Sequence, residues 1–381
     1  MKPFIHSLLI CLLLTACKKD DPPPPVIIDF PGGDVIEFDC TANDTLVLAD
    51  NWQAELLPVD LPVEGVKEMV FPTAEVGYLM GSDLSFWKFS VPDLQFTRLP
   101  VEACQSASIS APDAEHVFVF TFNFITNGGL CADELHELWR SNDGGSNWER
   151  EAMPDLVFEV YDSWFTDGQH GFVASTHGGV AKELWSTDDG GNTWSSHDSL
   201  ALHSESDFYE EPFYFINQTT GYLLGDSHLL YKTTDGGRNW ETLVSTEDRF
   251  QKVMFVDEMT GFAAKRETDP FSFGPPSNKN GIYKTVNGGL SWVRVLSGYP
   301  SLFHFADQNT GLAFILDDFC YFGSADEKKY DLQYTTDAGL FWDKKEGFKP
   351  GTEGGYQYCF YAPKEGFLIA KGKVYRLSYS G

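Results

Sequence analysis

Positive charge is scarce in this sequence: 27 Lys and Arg stand against 56 Asp and Glu, for a formal net charge of -29. Nucleic acids and anionic membrane surfaces are bound through clustered Lys and Arg, so the composition argues against both as partners. The acidity is most simply a solubility device. Long apolar helical stripes are also missing, as is any hydrophobic run of transmembrane length; Phe4 to Leu14 is far short of the roughly 17 to 25 residues a spanning helix needs. No His-x-x-x-His pair and no Gly-rich loop opening a helix after a strand occur, which removes the usual zinc and nucleotide signatures. His136, within Glu134-Leu135-His136-Glu137, reads as a surface strand or loop histidine. Neither a metal nor a cofactor is expected.

The N-terminus carries a strong local signal. Lys2 precedes the apolar run, and Leu14-Thr15-Ala16-Cys17 then sets small residues directly before a cysteine. These residues resemble a lipobox, which makes 1–16 a lipoprotein signal peptide and Cys17 the lipidation site. Lys18, Lys19, Asp20 and Asp21 resemble the export signal of Bacteroidetes-type lipoproteins, which implies the outer face of the outer membrane, with the lipid as the only membrane contact. Pro22 to Pro25 begin an extended, Pro-rich tether, assigned to 17–43 as a spacer rather than fold. Of seven cysteines, Cys40, Cys104, Cys131, Cys320 and Cys359 remain after Cys11 leaves with the signal and Cys17 takes lipid. Cys104 with Cys131 and Cys320 with Cys359 are the candidate disulfides, leaving Cys40 as the free thiol.

From residue 44 onward one pattern recurs, Ser/Thr-x-Asp-x-Gly-x-x-Trp. It places Ser141, Asp143, Gly145 and Trp148; Thr187, Asp189, Gly191 and Trp194; and Thr233, Asp235, Gly237 and Trp240. Two further copies place Thr285, Asn287, Gly289 and Trp292, then Thr335, Asp337, Gly339 and Trp342. The Trp spacings are 46, 46, 52 and 50, a period that belongs to blades or a solenoid, and the apolar residues before each box alternate as in strands. As a hairpin turn the box is self-explanatory. Asp and the hydroxyl accept turn N–H groups, Gly supplies positive φ, and Trp packs the next strand.

A second marker precedes the boxes: Gly77-Tyr78, Gly171-Phe172, Gly221-Tyr222, Gly261-Phe262, Gly311-Leu312 and Gly366-Phe367, with His116-Val117 as a degenerate copy. Seven markers predict seven repeats. From Gly221 to Thr233 is 12 residues, and the same step from Gly366 reaches Ser378, three residues before the end at Gly381, so the last repeat lacks its Trp and final strand. Asn51-Trp52 reads like Asn239-Trp240, while Phe96 takes the Trp place in the first repeat. The expected fold is therefore all-β, a seven-bladed β-propeller of four-stranded antiparallel blades over 44–381, closed by the N-terminal strand completing the last blade.

The boxes resemble the Asp-box, or BNR, motif of sialidases, sortilin-type receptors and xyloglucanase-type hydrolases. The Gly-aromatic step before each box is most similar to the photosystem II assembly-factor-like propellers, over nearly all of the chain after the tether. That resemblance implies a non-enzymatic platform that binds a protein or glycan, here as a monomer on the cell surface. The alternative is a glycoside hydrolase acting on extracellular glycans. The box carboxylates invite that reading, but the turn explains them and Asn287 replaces one, and no Arg-Ile-Pro segment of the sialidase kind occurs.

The marker-to-Trp distance is 19 residues in the repeat of Gly221, 23 in that of Gly171, 31 in those of Gly261 and Gly311, and 32 from His116. The excess is expected between the second and third strands, on the face opposite the boxes. There the candidate binding residues are Phe271, Phe273, Asp317, Asp318, Phe319, Tyr321 and Phe322, joined on the same face by Phe208 and Tyr209 of the connection before the Gly221 repeat, because aromatic anchors on loops a scaffold does not need are where recognition tends to sit. Asp317, Asp318 and Asp326 also offer carboxylates to Ca²⁺, though in an acidic chain such loops are more often simply solvated.

Overall fold

The computed structural model describes residues 26–29, 35–38, 45–49 and 52–380, except 104–105, 124–134, 155–158, 178–180, 198–199, 201–211, 226–228, 244–249, 266–278, 317–329, 346–355 and 371–372. The chain divides into two units, 1–45 and 46–381. In the first, Val26–Asp29 pairs antiparallel with Val35–Phe38, so the stretch assigned as a spacer contains regular structure. Each strand is rich in β-branched residues, the composition that favours a pleated pair.

The second unit is a seven-bladed β-propeller, all-β, with four antiparallel strands per blade arranged in a ring. No helix occurs among the described residues. Blades one to six occupy 66–98, 106–152, 159–196, 213–243, 252–297 and 299–345. Blade seven takes Tyr356–Ala362, Glu365–Ala370 and Lys373–Tyr379 from the C-terminal end and Trp52–Asp60 from the N-terminal end, with Thr45–Ala49 as a fifth strand. Closure by the N-terminal strand thus holds. Trp52 pairs with Tyr379 and Gln53 with Ser378, and Trp52, Ala54 and Leu57 are buried while the residues between them turn outward.

Five of the seven junctions are joined by aromatic stacking that runs from the second strand of one blade to the first strand of the next or the residue after it. Phe118 stacks on Phe165 at 3.6 Å, Phe172 on Phe215 at 5.5 Å, Tyr222 on Phe255 at 3.6 Å and Phe262 on Phe305 at 3.3 Å. Phe367 on Phe71 at 3.9 Å carries the series across the closure. Such pairs contribute about 0.5 to 1.5 kcal/mol each beyond the area they bury.

This stacking explains the marker glycines. The aromatic ring that receives the stack sits six residues before the glycine, and a Cβ at Gly171, Gly221, Gly261 or Gly311 would run into Phe165, Phe215, Phe255 or Phe305 respectively. In blade two the register places Val117, not His116, opposite the box Ser141, as Gly171, Gly221, Gly261 and Gly311 lie opposite Thr187, Thr233, Thr285 and Thr335. The degenerate marker is therefore Val117-Phe118. Six residues earlier stands Ala111 instead of Phe, so the larger marker residue is matched by a smaller ring-position residue. Blade seven departs in another way: Gly366 pairs with Leu377 rather than Ser378, one residue out of the step seen elsewhere, beside an irregularity between Phe360 and Ala362.

Candidate functional site

The antiparallel order fixes two ends of the propeller with different chemistry. Turns between first and second strands and between third and fourth strands, which include every box, share one end. The connections between second and third strands share the other.

At the box end each carboxylate is committed to its own turn. Asp143 Oδ1 accepts the N–H of Ser146 at 3.0 Å and of Asn147 at 2.8 Å, and Asn147 Nδ2 donates to Oδ2 at 2.6 Å. Ser141 Oγ donates to Asp143 at 2.9 Å and accepts the Gly145 N–H at 2.8 Å. Asp189, Asp235 and Asp337 repeat the hydroxyl contact to Thr187, Thr233 and Thr335, each at 2.9 Å. Asn287 keeps the arrangement without charge, its Oδ1 accepting from Thr285 at 2.9 Å and from the Ser291 N–H at 3.0 Å. The bonds from Asn147 hold the Asp143 carboxyl down to about 2, and those from Asn239 likewise hold Asp235 below its ordinary value. A carboxylate so held stays ionised as an acceptor and is a poor proton donor near neutral pH.

The remaining box residues pack the turn. Gly145, Gly191, Gly237, Gly289 and Gly339 adopt φ between 83° and 95°, the left-handed region that glycine takes without strain. Trp148, Trp194 and Trp292 donate their indole N–H to the carbonyls of Gly145, Gly191 and Gly289 at 3.0 Å. Phe96, in the outer strand of blade one, stacks on Phe89 at 4.4 Å and so fills the tryptophan place there.

Two partners of the box lie outside its own eight residues. One is a carboxylate or amide in the turn between first and second strands. Asp113, Asp167, Asn217, Asp257 and Asp307 each accept the N–H two and three residues ahead, at 2.7 to 2.9 Å. That turn in turn offers a carbonyl to the box: Gly144, Gly190, Gly236, Gly288 and Ala338 donate at 2.8 Å to Glu115, Gln169, Thr219, Met259 and Asn309. The other is a cation on the third strand of the preceding blade. Lys88 Nζ donates to Gly144 O at 2.6 Å, Arg140 to Gly190 O at 3.1 Å and Lys284 to Ala338 O at 3.3 Å. The pattern Asp/Asn-x-x-His/Thr and the Lys or Arg just before the box are the sequence signals for both.

The opposite end bears the insertions. Strand bounds put 124–134, 266–280 and 317–329 between second and third strands, of blades two, five and six; in blade three the excess instead lengthens the two strands, Gly171–His177 and Ala181–Thr187, and leaves a connection of three residues, 178–180. The candidate residues Phe208, Tyr209, Phe271, Phe273, Asp317, Asp318, Phe319, Tyr321 and Phe322 lie outside the described residues, as do Cys17, Cys40, Cys104, Cys131, Cys320 and Asp326. Cys359 Sγ accepts the Phe71 N–H at 3.4 Å, across the junction of blades seven and one. His136 lies on the third strand of blade two, half-buried, its ring stacked on Phe122 at 4.8 Å. Among the described residues no group of three or more His, Cys, Asp or Glu side chains could hold a metal ion.

A closed ring of seven four-stranded blades carrying these turns defines a seven-bladed β-propeller, similar in its middle blades to the photosystem II assembly-factor family. The family described as Photosynthesis system II assembly factor YCF48 matches residues 146–297. The solved structure of YCF48 bound to a D1 peptide is 13% identical, covers 89% of this chain and 100% of its own, and superposes with a TM-score of 0.56. YCF48 from Cyanidioschyzon merolae is 14% identical over 86% of this chain and 99% of its own, with a TM-score of 0.52. The GH74 xyloglucanase from Xanthomonas campestris is 12% identical over 85% of this chain but only 53% of its own, with a TM-score of 0.58. These likenesses are of fold. No curated protein matches the sequence.

Proposed function

We propose that this chain is a non-enzymatic binding or assembly platform that recognises a segment of another protein at the insertion-bearing end of the propeller. The observation that carries the reading is the commitment of the box carboxylates to their turns, which leaves recognition to the loops at the other end. The match of 146–297 to the assembly-factor family and the likeness to a propeller solved with a bound peptide support a protein ligand over a glycan. In this reading the Cys17 lipid and the Pro-rich tether hold the propeller at the outer surface of the outer membrane. The hydrolase alternative rests on the GH74 enzyme, of which this chain spans about half.

Cross-linking on intact cells that carry the tagged full-length chain, followed by identification of what is captured, tests the proposal. A defined protein is expected. Capture of an oligosaccharide, or release of reducing sugar from surface polysaccharide by the purified chain, would overturn it.

A further inference from the structure

Among the described residues, the large hydrophobic side chains left exposed are Met259, Val286, Leu290, Val293, Leu340 and Phe341. All belong to blades five and six, and all lie at the box end. Val286 and Leu290 sit in the box of blade five, and Val293 opens the outer strand Val293–Ser297 that follows it. Met259 is in the first turn of the same blade, where its carbonyl accepts the Gly288 N–H of that box at 2.8 Å. Leu340 and Phe341 occupy the box of blade six, which abuts the same outer strand: a Cβ at Gly339 would touch Val295, and Val295 and Trp342 pack on one apolar cluster. The exposed side chains therefore form one continuous strip.

The fold does not require them. At the place of Val286 the boxes of blades two, three and four carry Asn142, Asp188 and Thr234. At the place of Leu290 and Leu340 they carry Ser146, Asn192 and Arg238, and at that of Phe341 they carry Asn147, Thr193 and Asn239. The backbone bond of the turn forms either way, Asp337 Oδ1 accepting the Phe341 N–H at 3.0 Å as Asp143 Oδ1 accepts that of Asn147 at 2.8 Å, yet Leu340 is 77% and Phe341 78% exposed. At about 100 Å² per side chain the strip presents on the order of 600 Å², the top of the range for a monomer's largest patch and close to one partner's share of a standard interface.

Charge selects the occupant. Residues 251–350 hold 11 Lys and Arg against 13 Asp and Glu, whereas the other 281 residues hold 16 against 43. Along the chain the strip thus belongs to the nearly neutral stretch of a strongly acidic sequence, and Asn287 stands where the other boxes carry a carboxylate. Two copies meeting here join their least repulsive parts and keep the acidic sectors apart. We propose that the box end of blades five and six is a self-association surface, occupied by the same strip of a second copy about a two-fold axis.

Two differently tagged full-length copies are co-expressed, one with a photo-cross-linking residue at Leu340 and, as control, at the equivalent Asn192. A cross-link between the tags from position 340 and none from 192 is expected. Leu290→Asn, Leu340→Asn and Phe341→Asn together, which place polar residues where blades two to four carry them, should lower that cross-link at least tenfold with the melting temperature unchanged. A cross-link from 340 to a different protein or to lipid, no cross-link at all, or an undiminished one in the triple variant would overturn the proposal.

Discussion

The pairing of each marker glycine with the ring six residues before it is open to a double-mutant cycle at Gly261 and Phe255. Gly261 is not in the left-handed region, so a side chain there meets no backbone penalty, only the Phe255 ring, whose Cδ1 would lie 2.5 Å from the new Cβ. Overpacking of that kind costs about 1 to 3 kcal/mol for Gly261→Val. Phe255 is 2% exposed and stacks on Tyr222 at 3.6 Å, so Phe255→Ala should cost about 3 to 5 kcal/mol from lost burial and the cavity left behind. In the double variant the valine grows into the space the ring vacates, the arrangement blade two has with Ala111 and Val117. The double variant should therefore be no less stable than Phe255→Ala alone, with a coupling of about 2 kcal/mol. Urea denaturation of the four proteins, followed by tryptophan fluorescence, measures it. Additive losses would show that the six-residue pairing is incidental and that the glycine answers to something else.

Three further outcomes follow from the same packing. His304 is buried between blades six and seven, stacked on Phe360 at 3.5 Å with its Nε2 2.7 Å from the Pro363 carbonyl, and burial pushes its imidazole down to about 3. Because the folded value lies below the unfolded one near 6.5, this site's stabilisation is complete above pH 6.5 and is lost as pH falls toward 3. Stability should drop by about 2 kcal/mol between pH 6.5 and 4.5, with a flatter profile in His304→Phe, and equal slopes would refute the assignment. Deleting 45–58 leaves the strand Lys373–Tyr379 with an open edge and removes the buried Trp52, Ala54 and Leu57. That deletion should cost several kcal/mol, and an unchanged melting curve would contradict closure. Asp235→Asn, which copies Asn287, should change stability by less than about 0.5 kcal/mol, while Asp235→Ala should cost about 1 to 2 kcal/mol from the turn bonds it strands; equal effects would mean that the turn bonds are not what the carboxylate contributes.

What could be read from the sequence was what is local or countable. The box forms its bonds within four residues, so its residues, its turn and its glycine requirement are written in one eight-residue string. Ring closure followed from the missing Trp of the last repeat and the surplus Asn51-Trp52. The insertions were placed between second and third strands because the box length is constant. Contacts that cross to the next blade were not legible. The partner of Lys284 is the box of Ala338, 54 residues away, and the ring that Phe262 meets is Phe305. For the same reason the sequence aligns His116 with the glycines, whereas the pairing of Val117 with Ser141 shows which residue takes that place. The candidate binding residues rest on sequence alone, since a loop released from the repeat carries no periodicity by which to place it.

Replacement of Phe319, Tyr321 and Phe322 together by Ala, set beside the asparagine variant of Leu290, Leu340 and Phe341, tests the central claim most directly. The quantity measured is the yield of the captured partner protein from intact cells at equal surface amounts of each full-length variant. The account predicts that the first variant loses at least nine-tenths of the capture with its melting temperature unchanged, and that the second retains it. Full capture by the first variant, or loss only in the second, would contradict the assignment of recognition to the insertion-bearing end.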